Sequence, residues 1–117
     1  MNDLARVTIE PHDDVVHARV SGEVDLSNAE QVFEQVLDGW VGRGSKGLVV
    51  DLSETTYIDS AGIRALFELA ERLRALGCSV RTVVPDASPV RRVMKLAEAE
   101  RVLDLDASLE GALAALG

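Results

Sequence analysis

The stretch from Leu48 to Val84 does most to limit what this chain can fold into. Leu48-Val49-Val50-Asp51-Leu52 is a continuous apolar run with an acidic end, and it reads as a buried strand. Beyond Ser60, residues Ile63, Leu66, Phe67, Leu69, Ala70, Leu73 and Leu76 recur at helical spacing, and Gly77 is a natural C-terminal stop. Ser79 to Val84 then reads as a further strand, closed by Pro85. Strand, helix and strand in that order form a crossover unit with parallel strands and a right-handed connection.

The flanks add to this unit without changing its class. Leu4 to Ile9 and Val15 to Ser21 read as two strands around a turn at Pro11-His12-Asp13-Asp14, with Gly22 ending the second. Ser27-Asn28-Ala29-Glu30 has the form of a capping box. Ala29, Val32, Phe33, Val36, Leu37 and Trp40 then share one helical face, until the glycine-rich segment 42–47 breaks it. Ser88-Pro89 opens a short helix striped by Val90, Val93, Met94 and Ala97. Val102 to Leu105 suggests a last strand, and Ser108 caps a final helix through Leu109, Ala112, Leu113 and Leu116. The order ββαβαβα(β)α describes an α/β domain whose sheet is mixed, because the opening hairpin is antiparallel.

At 117 residues the chain is long enough for one domain with a core that needs no disulfide, and its single cysteine, Cys78, could not form an internal one. Aromatics are 3% against 47% hydrophobic residues overall, so the core is aliphatic. A net charge of −8 argues against a nucleic-acid partner. With no basic-then-apolar opening segment, and no apolar run near the ~20 residues that span a bilayer, a cytoplasmic protein without a membrane partner is expected.

Ser60 stands where the chain enters the helix, with Asp59 before it and Gly62 just inside. Helix capping by Ser60 or Asp59, worth about 1 kcal/mol, is enough to account for a serine there. The same place, beside free backbone N–H groups, is also suited to carry or read a phosphate, and a Gly62 without a side chain would let another protein approach the backbone. Bond-breaking chemistry is not expected, since no general base is visible nearby. Asp51 offers a different reading, the phosphorylated aspartate of a receiver domain. The acidic pair after the first strand and the lysine after Val84 that such a domain requires are missing. The glycine-rich segment precedes a strand and lacks P-loop spacing. His12 and His17 are expected at the surface, Cys78 inside, and Arg91, Arg92 and Lys95 on a basic helix face. No metal or cofactor site is expected.

Taken in order, these segments resemble the STAS domain in its short stand-alone form, the anti-sigma factor antagonist. Gly22-Glu23-Val24-Asp25 is similar to the family's G-E-[LIV]-D step, Ile58-Asp59-Ser60-Ala61-Gly62 to its D-S-[SA]-G phosphorylation motif, and Ser88-Pro89-Val90 to the start of its third helix. The resemblance runs over nearly the whole chain and implies a single STAS domain over residues 1–117. It implies a mixed four- to five-stranded sheet with about four helices packed mainly on one face. It also implies that Ser60 is phosphorylated by an anti-sigma factor, a serine kinase with a histidine-kinase-like ATPase fold. The unphosphorylated form would bind that kinase and release the sigma factor, and a PP2C-type phosphatase would restore it. Asp25 and the loop after it (Leu26, Ser27), with Asp59, Ser60, Ala61, Gly62 and Arg64, would form the binding face. Stressosome scaffolds and subunits associated with anion or lipid transporters are other roles in the family. One departure is visible: a glycine turn often follows the third helix, but this chain reads Leu96-Ala97-Glu98-Ala99-Glu100, and a longer helix is expected.

Overall fold

In the computed structural model, which describes residues 4–43 and 45–117, the chain forms one five-stranded sheet in the order β1-β2-β3-β4-β5. The strands are β1 (Ala5–His12), β2 (Val15–Val24), β3 (Gly47–Ile58), β4 (Ser79–Val83) and β5 (Leu105–Asp106). Between them run α1 (Ala29–Val41) after β2, α2 (Ser60–Ala75) after β3, and α3 (Arg91–Leu96) with a 3-10 turn (Ala99–Arg101) after β4. Helix α4 (Leu109–Leu116) closes the chain. Strand β1 is antiparallel to β2, and all other pairs are parallel. The expected mixed sheet is therefore present, with its full five strands. Residues 1–3, and Gly44 of the glycine-rich break, lie outside the described residues.

Alternation along the strands sorts side chains onto two faces. Val16, Ala18 and Val20 of β2, Leu48, Val50 and Leu52 of β3, and Val80 of β4 point to one face. There they meet Val32, Phe33 and Val36 of α1, Leu66, Ala70 and Leu73 of α2, and Met94 of α3, all buried. Val49 and Val83 point the other way and pack with Ala112 of α4 in a smaller second core. Three helices thus share one face, and α4 covers part of the other.

Several boundaries differ from the sequence reading. Strand β1 runs on to His12, leaving a two-residue turn at Asp13-Asp14 with Asp13 at φ 56. Strand β2 continues through Gly22 to Val24. Gly22 sits at φ +95, and a Cβ there would lie 2.1 Å from the Leu4 carbonyl oxygen, so only glycine fits. Strand β3 does not end with the apolar run at Leu52; it extends to Ile58 with two register shifts against β2, between Arg19 and Ser21 and between Gly22 and Glu23. The buried Thr55 hydroxyl fixes this extension by donating to the Val20 carbonyl at 2.7 Å. The capping box does not form: Asn28 is the residue before α1 and its side chain caps nothing in that helix, while Ser27 turns its hydroxyl to Asp25. Helix α3 is not lengthened either. It stops at Leu96, and Glu98 at φ 51 adopts the left-handed turn for which glycine is the usual residue.

Candidate functional site

The site lies at the end of the sheet where β2 and β3 deliver their chains to α1 and α2. Asp59 is the residue that organises it. Its Oδ1 accepts the Gly62 N–H at 2.9 Å and so caps α2, while its Oδ2 accepts the Leu26 N–H at 3.1 Å from the neighbouring loop. Its own N–H donates to the Val24 carbonyl at 3.2 Å. One carboxylate therefore ties the start of α2 to the β2–α1 loop.

That loop is folded on Asp25. Its Oδ1 accepts the Ser27 N–H at 2.9 Å and the Ser27 hydroxyl, its carbonyl accepts from Asn28 and Ala29, and its N–H donates to Asn28 Oδ1. The Asn28 amide donates in turn to the Glu23 carbonyl. With its backbone held from both sides, the loop presents Leu26 to solvent, 82% exposed. Leu26 is the most exposed of the large apolar side chains among the described residues.

Ser60 is the first residue of α2 and is exposed. Because Asp59 supplies the cap, the Ser60 hydroxyl stands outside the capping network. The N–H groups of Ser60 and Ala61 precede the first turn's hydrogen bonds, and no acidic residue lies in that turn. The helix end favours negative charge, and the Asp59 carboxylate at the cap already supplies one beside Ser60. Arg64 is exposed one turn further on.

Gly62 has a role other than the one read from sequence. It is buried, and a Cβ there would come within 2.6 Å of Ile58 Cγ1 and 3.1 Å of Val24 Cγ1. Its missing side chain lets α2 sit down on the ends of β2 and β3; the space is filled from inside and is closed to a partner.

Beside Ser60 and Leu26 a groove of about 510 Å³ opens between α1 and α2. Ala29, Phe33, Ala65 and Leu69 line its base, with Glu30, Glu34, Arg64 and Arg72 among the charged residues along it. Sequence reading did not reach this groove, because it arises only when the two helices lie side by side. The isolated apolar Leu26 between Asp25 and Ser27 was the one available signal.

Asp51 lies elsewhere, on the face of the sheet that α4 partly covers. It is buried, 2% exposed, and its Oδ2 accepts from His17 Nε2 at 2.7 Å while its Oδ1 accepts the Ser53 N–H at 2.9 Å. Burial by itself would raise this carboxyl, but the hydroxyl and N–H of Ser53 and the His17 ring together bring it below its ordinary value. Both oxygens are engaged and the residue is mid-strand, an arrangement unlike an open phosphoacceptor. His17, expected at the surface, is buried as Asp51's partner, whereas His12 is exposed. Cys78 is buried as expected, and burial pushes its thiol up to about 11. No described helix is long and apolar enough to cross a membrane.

Comparison with known proteins agrees with this architecture. The chain is 32% identical over 111 residues to BtrV of Bordetella bronchiseptica, to which an anti-sigma factor antagonist role is ascribed, covering 94% of this chain and 93% of that protein. It is 30% identical over 112 residues to RsfB of Mycobacterium tuberculosis, named an anti-sigma-F factor antagonist, covering 95% and 88%. The crystal structure of an anti-sigma factor antagonist from Mycobacterium paratuberculosis superposes with a TM-score of 0.83 at 27% identity, covering 95% of this chain and 92% of that one. The STAS domain profile matches residues 6–112. With that span matched and the five-stranded fold shared, the chain belongs to the STAS domain family.

Proposed function

We propose that this protein is an anti-sigma factor antagonist, a binding protein and not an enzyme, switched by phosphorylation at Ser60. Its partner is an anti-sigma factor serine kinase with a histidine-kinase-like ATPase fold. The unphosphorylated form binds that kinase and so releases a sigma factor, and a PP2C-type phosphatase returns the phosphorylated form to the active pool. The observation that carries this reading is the exposed Ser60 hydroxyl on the first residue of α2, left free because Asp59 does the capping. The antagonist names of the relatives that match nearly the full chain support it.

The binding face combines Asp25, Leu26 and Ser27 with Asp59, Ser60, Ala61 and Arg64. Leu26 contributes apolar contact, and the two aspartates hold the loop and helix start that present it. Gly62 shapes this face from beneath.

The test is reconstitution with a purified anti-sigma factor kinase of the source organism, and ATP. Mass spectrometry should place one phosphate on Ser60, Ser60→Ala protein should take none, and only the unphosphorylated protein should be retained by the kinase. Label on Ser60→Ala protein, or equal retention of the two forms, would overturn the reading.

A further inference from the structure

Strand β1 is an edge of the sheet, and among the described residues its outer side faces no other strand. An edge of eight residues is long enough to template pairing, and proteins that keep such an edge free usually blunt it with charged side chains, proline, a bulge or a cover. Here β1 holds an unbroken register with β2 from Ala5↔Gly22 to His12↔Val15. Its only proline, Pro11, lies near one end.

The orientation of its backbone follows from its two ends. His12 and Val15 flank the two-residue turn, a position where facing residues exchange both hydrogen bonds. At the other end, the Glu23 N–H donates to the Leu4 carbonyl at 2.7 Å. Even-numbered residues therefore turn their backbone groups inward to β2. Odd-numbered ones, Ala5, Val7, Ile9 and Pro11, turn theirs outward. Pro11, which has no N–H, falls in the outward set, where the β1–β2 ladder does not miss it.

The side chains are arranged to meet their own copies. Antiparallel pairing of two β1 strands about a two-fold axis at Thr8 sets Arg6 opposite Glu10 of the second copy, and Glu10 opposite its Arg6. On the other face it sets Val7 opposite Ile9. Val7 and Ile9 are half-buried against the main core, with the edge leaving their outer flank open. In this register Val7 and Ile9 form the hydrogen-bonded pairs, and with Ala5 donating to Pro11 about six main-chain bonds result. Neighbouring allowed registers lose the two charge pairs; those centred on Arg6 or Glu10 set like charges together. Above the edge, Gly39 of α1 lies against Ile9, and Gln35 stands one turn before it.

From this self-complementarity we infer that β1 is the docking edge for a second copy of the chain, forming a two-fold dimer with a continuous ten-stranded sheet. The axis reverses one half relative to the other, so the two Ser60 ends point in opposite directions and both stay open. The inference does not depend on the proposed role of Ser60.

Analytical ultracentrifugation of the full chain over a concentration series tests it. Wild type should associate reversibly. Arg6→Glu and Glu10→Arg should each weaken the dimer several-fold, and Arg6→Glu/Glu10→Arg together should regain it, because the swap restores both cross-pairs. Both positions are exposed, and circular dichroism checks that each variant is folded. Cross-linking reads the register separately. Thr8→Cys places two thiols at the axis in a non-hydrogen-bonded pair, about 4.5 Å apart at Cα, within disulfide reach. Arg6→Cys places them four residues out of register, about 14 Å apart, and should not link. The native Cys78 is buried and does not compete. A wild type that stays monomeric with no Thr8→Cys dimer overturns the inference. So does a double swap that remains monomeric, or an Arg6→Cys chain that links as readily as Thr8→Cys.

Discussion

Asp59 and Gly62 show how much of the junction between the β2–α1 loop and α2 rests on single atoms. Asp59→Ala removes the α2 cap and the acceptor for the Leu26 N–H together. Loss of the cap alone costs about 1 kcal/mol, with a range of roughly 0.5–2. The variant should melt lower in a denaturant titration and bind the proposed kinase partner more weakly, since Leu26 is no longer held. Gly62→Ala sets two effects against each other. Alanine is the better helix former by about 1 kcal/mol. The new Cβ, however, would lie 2.6 Å from Ile58 Cγ1 in a closed core, and overpacking of this kind costs about 1–3 kcal/mol. Clash should win, and a lowered denaturation midpoint would show it; a raised midpoint would show that Ile58 moves aside freely. The identity of both residues was legible in Asp59-Ser60-Ala61-Gly62, and so was the cap. The inward role of Gly62 was not, because it depends on Ile58 and Val24 arriving from two strands.

At the scale of elements, the helical faces were readable because a 3.6-residue period leaves a direct record of burial. Ala29, Val32, Phe33, Val36 and Leu37 are all buried in α1, and Leu66, Leu69, Ala70 and Leu73 in α2. The far half of β3 left no such record, since Ser53-Glu54-Thr55-Thr56 is polar and its pairing is irregular. Nor did the pair between His17 and Asp51, which lie 34 residues apart and meet only through the β2–β3 register. That pair has a consequence for pH. The folded-state carboxyl of Asp51 lies below its ordinary value, so it contributes stability that is complete above the unfolded value and is lost as pH falls through the folded one. Urea midpoints measured from pH 5 downward should fall below about pH 4, and Asp51→Asn should flatten that limb. An equally steep limb in Asp51→Asn protein would place the acid sensitivity in other carboxylates.

For the whole molecule, the order of strands and helices and the mixed sheet were accessible from pattern alone. The placement of α4 on the opposite face was not, because its apolar residues say that it is buried but not where. In the proposed switch, moving from mostly bound to mostly free takes about a 10⁴-fold change in affinity, roughly 5.5 kcal/mol. Repulsion at an exposed rim supplies only about 1 kcal/mol of that. The phosphate must therefore fall inside the contact, where the partner would have to bury a charge of about −1.5 to −2 without compensation. No refolding is needed to make room for the phosphate, since the Ser60 side chain is exposed and outside the capping network. Backbone NMR of the free protein should show shift changes confined to the β2–α1 loop and the first turn of α2 on phosphorylation. Changes spread across β4, β5 and α4 would point to a conformational mechanism instead.

The two register shifts in β3 give the segment between Asp51 and Ile58 a property best described as parity. Each surplus residue exchanges the faces to which the following side chains point. One alone would turn Ile58 out of the core and swing Ser60 away from Leu26; the second restores the original sense. The distance from sheet to Ser60 is thus counted in twos. Deleting Glu54 alone should abolish both cooperative unfolding and kinase binding, while removing one surplus residue at each shift should be far better tolerated. Calorimetry of the two deletions, side by side, distinguishes a segment that measures length from one that measures facing.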